Sequence, residues 1–233
     1  YRRAKRRLLL FDYDGTLAPI RSRPEEAVPS HRLCELLRTL GTDAANRVVI
    51  CSGRDSGTLE KWFGGLPVSL AAEHGAFYKD RGAWRCNIRP ASWDPKLSAL
   101  LEHFARKTPR SRIERKQTAL AWHYREADSW LGQLRAQQLV NALMPLCARL
   151  NLHILQGDKV VEIKSPRFTK GSETLRLLRQ ERYDFILALG DDTTDDDMFA
   201  ALPPRALSIK VGNASEHARY NMPEQSEVVP LLE

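Results

Sequence analysis

The stretch Leu8-Leu9-Leu10-Phe11-Asp12-Tyr13-Asp14-Gly15 limits most strongly what this chain can fold into. Four apolar residues in a row leave no polar face, so the segment reads as a strand covered on both sides, as in a parallel sheet. Two carboxylates at alternate positions follow, and side chains two apart on extended backbone share a direction. Asp12 and Asp14 therefore converge where the strand ends. In open parallel sheets that carboxyl end is where ligands bind. A strand running into a plain Asp-Gly turn has the same local pattern, so the rest of the chain must decide between them.

The pattern recurs. Val48 to Cys51 ends in Ser52-Gly53-Arg54-Asp55, Val68 to Ala72 in Glu73-His74-Gly75, and Phe185 to Leu189 in Gly190-Asp191-Asp192. Leu207 to Val211 makes a further strand, with Asn213 to Glu216 read as a loop entering a short helix. Helical spacings lie between: Leu33, Leu36, Leu37 and Leu40 after an N-cap at Ser30, with Gly41 as the stop; Leu59, Trp62 and Phe63; Leu175 and Leu178 after Lys170. Strand and helix in alternation predict an α/β fold with a Rossmann-like parallel-sheet core.

Between residues 89 and 164 the rhythm changes. A helix starts at Ser92-Trp93-Asp94-Pro95 and carries Leu97, Leu100, Leu101 and Phe104. Two strands follow, and in the second Leu120, Trp122 and Tyr124 alternate with Ala121, His123 and Arg125, which predicts one buried face. A long helix over Asp128 to Leu150 contains Pro145, expected to kink or split it. Two last strands flank Gly157-Asp158 as a hairpin turn. The expected domains are a core of residues 1–88 plus 165–233 and an inserted α/β unit of residues 89–164.

With 42% hydrophobic and 28% charged residues, the 233-residue chain can bury a core and a smaller inserted unit. No apolar run is long enough to span a bilayer, so no membrane partner is expected. The net charge of +7 suits steering of small anions. Its densest run, Arg2-Arg3-Ala4-Lys5-Arg6-Arg7, has no interleaved aromatics, so nucleic acid is not the expected partner. Cys34, Cys51, Cys86 and Cys147 lack metal-type spacing and predict reduced thiols in a cytoplasmic protein. Residue 1 is Tyr rather than Met, which points to a fragment of a longer protein or a processed chain.

Polar groups thus gather at four places: Asp12 with Asp14, Ser52, Lys170 at a helix start, and the Asp191 cluster. Five acids within residues 191–197 cannot sit together without counter-charge, unless they lie solvated on a surface helix. Two acidic strand ends brought together make an all-oxygen site suited to a hard cation such as Mg2+.

In this order the motifs resemble those of haloacid dehalogenase superfamily phosphatases: Asp12-Tyr13-Asp14-Gly15-Thr16, Ser52, Lys170, and Gly190-Asp191-Asp192 with Asp195. The resemblance implies Asp12 as nucleophile forming an aspartyl phosphate and Asp14 as general acid and base. Ser52 and Lys170 would hold the phosphoryl group. Mg2+ would be held by Asp12, the Asp14 carbonyl and Asp191, with Asp192 or Asp195 in support. Thr16 would order the loop or donate to Asp14.

The inserted unit looks like that superfamily's cap domain. The wording is most similar to trehalose-6-phosphate phosphatases, in Ser52-Gly53-Arg54-Asp55, Ala72 to Gly75, Trp122-His123-Tyr124-Arg125, Val161-Glu162-Ile163-Lys164 and Asp191 to Asp195. That similarity implies substrate contacts from Ser52, Gly53, Glu114, Lys116, Arg125 and Glu162. Arg54 would touch phosphate or balance an acidic patch. The implied reaction is hydrolysis of trehalose 6-phosphate. Alternatives are another sugar phosphate, such as sucrose phosphate or mannosyl-phosphoglycerate, and a non-catalytic regulatory domain. The basic entry resembles the junction of fused synthase–phosphatases, so a trehalose-6-phosphate synthase domain is the expected protein partner.

Overall fold

The computed structural model describes residues 1–80, 82–86, 93–116, 118–165 and 167–233. The elements run β1 (Arg7–Phe11), α1 (His31–Thr42), β2 (Asn46–Cys51), α2 (Ser56–Phe63), β3 (Ser69–Ala72), β4 (Phe77–Lys79), β5 (Arg85–Cys86), α3 (Pro95–Arg106), β6 (Arg112–Arg115) and β7 (Ala119–His123). They continue α4 (Ser129–Leu150), β8 (His153–Gly157), β9 (Val160–Lys164), α5 (Lys170–Gln180), β10 (Phe185–Gly190), α6 (Thr193–Ala200), β11 (Leu207–Val211), β12 (Tyr220–Met222) and α7 (Val228–Leu232). Two units result: Tyr1–Asn87 with Phe168–Glu233, and Ile88–Arg167. Ser92 and the proposed 88/89 boundary lie outside the described residues.

In the first unit β1 is buried along its whole length, Leu8 to Phe11 as their unbroken apolar run requires and Arg7 with its guanidinium on Asp43 and Asn46. It lies in an eight-stranded sheet of order β12-β11-β10-β1-β2-β3-β4-β5. The strands from β12 to β3 are parallel, and β4 and β5 add an antiparallel edge. Leu8, Leu10, Val49 and Ala188 pack with Leu177, Met198 and Phe199 in its core. Register then builds the site. Phe11 is level with Ile50 on one side and Leu189 on the other, so Asp12, Ser52 and Asp191 leave adjacent strands at almost the same height.

The second unit is a four-stranded antiparallel sheet, β6-β7-β9-β8, with α3 and α4 packed on it. Leu97 and Leu101 of α3 and Leu139 and Leu143 of α4 meet Leu120, Trp122, Val161 and Ile163. The other face is not simply solvent. Ala119 and Ala121 are also buried, because they pair with the long side chains of Lys164 and Glu162 on β9.

Five local expectations need correction. Gly41 does not stop α1, which runs to Thr42. It is instead a contact point, since a Cβ there would fall onto the Pro67 carbonyl. Pro145 does not split α4. It sits on the exposed side, where water can take the carbonyl it leaves unpaired. The hairpin turns one residue later, on Asp158 and Lys159, with Lys159 at φ 59° and Gly157 paired to Val160. In α5 the buried leucine is Leu177, while Leu175 is exposed. After Val211 the chain turns into β12 rather than a helix. Among the described residues no helix is long and apolar enough to cross a membrane.

Candidate active site

Asp12, the first residue beyond β1, is almost wholly buried. Lys170 opens α5, and its Nζ donates to Asp12 Oδ1 at 2.6 Å and to Asp195 Oδ1 at 2.7 Å. The start of α5 is fixed by a capping box between Thr169 and Ser172. It is tied down further along as well. Arg176 forks onto Glu173 at 2.7 and 2.6 Å and lies 4.0 Å over the Tyr78 ring. Asp80, after β4, meets Arg176 at 3.5 Å and Arg47 of β2 at 2.8 Å.

Asp195 is fully buried at the third position of α6. Its Oδ2 accepts from the Asp191 and Asp192 amides at 3.1 and 3.0 Å, so the acid loop itself aims its other oxygen at Lys170. One carboxylate oxygen each from Asp12, Asp191 and Asp195 lies within 4.8 Å of the others. Gly15 makes room for this. Its φ is +85°, and a Cβ would collide with the Asp191 carboxylate. Thr16 donates toward Asp191 Oδ1 at 3.1 Å and lies 3.4 Å from Asp12 Oδ2, so its partner is this cluster and not Asp14.

Burial pushes Asp12 well above the usual carboxylate range, and the neighbouring Asp195 and Asp191 charges add to it against the pull of Lys170. Asp191 is pushed up to about 6, again by burial first. Burial alone would lower Lys170, but Asp12 and Asp195 outweigh it and hold the ammonium well above its ordinary value. Three crowded carboxylates against one ammonium, with oxygen donors throughout, fit a hard divalent cation.

Asp192 is not in this group: it is exposed, caps α6, and accepts from the Thr193 amide at 2.6 Å. Asp14 points elsewhere too. Arg54 grips it with both arms, Nε to Oδ2 at 2.7 Å and the terminal nitrogen to Oδ1 at 2.5 Å. The same guanidinium lies 4.5 Å over the Trp62 ring. Ser52 is buried, and its Oγ accepts from the Arg54 amide at 3.2 Å. Gly53 packs against the His74 ring.

Sequence reasoning missed Lys210. It is buried on β11 and donates to the Asp192 carbonyl at 2.5 Å and Asp196 Oδ1 at 3.1 Å, and Ser215 Oγ donates to the same carboxylate at 2.6 Å. The five-acid loop is therefore neutralised from both sides, by Lys170 in front and Lys210 behind. A lysine inside the apolar run Leu207 to Val211 was the available signal.

In the second unit Glu114, Ala121 and Glu162 stand in one row across β6, β7 and β9. Lys116 Nζ lies 3.3 Å from Glu162 and 4.0 Å from Glu114. His123 Nε2 is 2.7 Å from the same Glu114 oxygen. Burial would raise Glu114, but His123 and Lys116 prevail and bring it down to about 2. Arg125 stands apart from this row, held at 2.9 Å by both the carbonyl and the carboxylate of Asp158 at the hairpin.

The sequence pattern described as trehalose-phosphatase matches residues 10–226. A trehalose-phosphatase of Zygosaccharomyces rouxii is 43% identical over 228 residues, covering 87% of this chain and 25% of that protein. A bifunctional trehalose-6-phosphate synthase/phosphatase of Thermoproteus tenax is 40% identical over 236 residues, covering 100% of this chain and 32% of its own length. The chain thus spans a quarter to a third of these relatives. Among solved structures, the C-terminal domain of C. albicans trehalose-6-phosphate phosphatase superposes with a TM-score of 0.91 at 36% identity, covering 100% of this chain and 92% of that one. Matched from Leu10 almost to its end in sequence, and throughout in fold, the chain belongs to the trehalose-phosphatase family.

Proposed function

We propose that the chain hydrolyses trehalose 6-phosphate to trehalose and phosphate through an aspartyl-phosphate intermediate, with Mg2+ as cofactor. The observation that carries this is Asp12, a buried carboxylate at a strand end, held by Lys170 two residues from a second, more open carboxylate. An Asp12 oxygen attacks phosphorus as the bond to the sugar oxygen breaks, and Asp14 gives that oxygen its proton. A water then attacks the phosphorus of the acyl phosphate, Asp14 takes its proton, and Asp12 leaves as carboxylate. Ser52 and Lys170 hold phosphoryl oxygens. Arg54 sets the plane of Asp14 between turnovers. Asp12, Asp191, Asp195 and the Asp14 carbonyl would hold Mg2+, which supplies charge that offsets the phosphoryl oxygens.

The metal reading carries a pH sign. A folded-state value of about 6 for Asp191 means that folding favours its protonated form. The stability it contributes is full below the ordinary carboxylate value and is lost as pH climbs through about 6. Mg2+ competes with those protons. The rise in melting temperature on adding Mg2+ is therefore expected to be slight near pH 5 and to grow to several degrees above pH 7. An equal rise at both pH values, or one that persists in Asp191→Asn, refutes the assigned ligand set.

Glu114, Lys116 and Glu162 supply sugar contacts in this proposal, with Arg125 as a further one. Charged partners for hydroxyls discriminate strongly between sugars. Phosphate release from trehalose 6-phosphate, sucrose phosphate, mannosyl-phosphoglycerate and glucose 6-phosphate tests the substrate. The first is expected to be preferred, and Glu114→Gln to raise its KM by about 10- to 100-fold with kcat little changed. Preference for another sugar overturns the substrate alone, and release from none overturns the enzyme in favour of a binding domain. We further place the chain in the cytoplasm beside a trehalose-6-phosphate synthase domain, fused or associated, as the source of substrate. The relative named as a bifunctional synthase/phosphatase supports the synthase partner.

A further inference from the structure

One surface in the second unit has no part in this chemistry. Along α4, Trp130, Leu134, Gln137, Asn141, Met144 and Ala148 recur at steps of four and three, the spacing that lines side chains along one seam. They face away from the buried side centred on Leu139 and Leu143. Trp130 is 72%, Leu134 40% and Met144 57% exposed. None of the six carries a charge, although 28% of the chain's residues do.

The seam is complementary to itself when reversed. An antiparallel pairing centred on Leu139 sets Trp130 against Ala148, Leu134 against Met144, and Gln137 against Asn141, each pair occurring twice about a two-fold axis. The largest side chain meets the smallest, two aliphatic ones meet in between, and the central amides offer each other a donor and an acceptor. A parallel pairing would stack indole on indole and leave a gap at Ala148. On the flanks, exposed Arg149 comes level with Ser129 of the second copy, between its exposed Asp128 and the Lys159 ammonium that donates to Ser129 Oγ at 3.1 Å.

We propose that the protein forms a homodimer through this face of α4, antiparallel and isologous. Covered completely, a seam with these exposures would bury on the order of 600 Å² per copy and 1,200 Å² in all, which is the lower edge for a specific interface. That area predicts a dimer in the micromolar range rather than an obligate one. The proposal is independent of the phosphatase reading.

Sedimentation velocity across the micromolar range tests it. The protein is expected to pass from monomer to dimer with concentration. Leu134→Glu and Met144→Lys, each alone, should weaken dimerisation by at least about 100-fold with the melting temperature preserved, because both side chains are exposed. The double variant Leu134→Glu with Met144→Lys should dimerise again, since the new charges meet only across an antiparallel seam. A protein that stays monomeric throughout, single variants that still dimerise, or a double variant that fails to recover would each overturn the proposal.

Discussion

Asp12→Asn is expected to reduce phosphate release by at least about 10⁴-fold while leaving the metal-free protein as stable as its parent or more so. The two effects have one origin. The amide keeps the shape of the carboxylate but has no anionic oxygen to attack phosphorus. The carboxylate itself is poorly accommodated: burial and the nearby Asp195 and Asp191 push it well above its ordinary range even with Lys170 in contact. Removing that charge leaves Lys170 paired with Asp195 at 2.7 Å, so no cation is stranded. Phosphate assays and thermal unfolding in chelator read the two arms separately. Turnover within tenfold of the parent would remove Asp12 from the nucleophile's role. A marked loss of stability would mean that the Asp12–Lys170 pair holds the fold, a contribution buried pairs often lack.

Lys170→Met has the opposite signature: activity and stability are expected to fall together. The thioether matches the lysine stem in length but leaves Asp12, Asp191 and Asp195 facing one another with no ammonium between them. Losing one partner of a buried charge cluster costs about 3–5 kcal/mol. The raised Lys170 value means its stabilisation is fully present at neutral pH and is lost only on strong alkalinisation. The carboxyls of the variant can instead take up protons, so the deficit should narrow below about pH 6, where Asp191 is already protonated. Melting temperatures of parent and variant at pH 5 and pH 8 decide the matter. A deficit that is equal at both would show that the lysine is not the cluster's counter-charge.

The parallel core and the inserted antiparallel unit were legible because both rest on local signals. The apolar run Leu8 to Phe11 carries its burial in its own spelling, and so do Leu120 and Trp122 on β7, although the alternation there did not show that Ala119 and Ala121 on the other face are buried too. Convergence of Asp12, Lys170 and Asp191 was legible for the same reason, since each ends a strand or starts a helix. What could not be read was the partner of each polar group. Asp14 is a carboxylate like Asp12, yet it faces Arg54, forty residues on and anchored over Trp62. Asp192 and Asp195 differ only in which side of the α6 cap they occupy. Gly41 and Leu175 misled because their roles depend on what packs against them, the Pro67 carbonyl in one case and open solvent in the other.

The ties along α5 bear on how the protein opens. Arg176 and Glu173 on the helix, Tyr78 and Asp80 around β4, and Arg47 on β2 form one connected set joining segments distant in sequence. The first turn of α5 cannot fray without breaking contacts that also hold the sheet. Its amides should therefore exchange with solvent only through the opening that frees β2, not through the low-energy fluctuations common at helix ends. The lysine is thus carried on a stretch that belongs kinetically to the core.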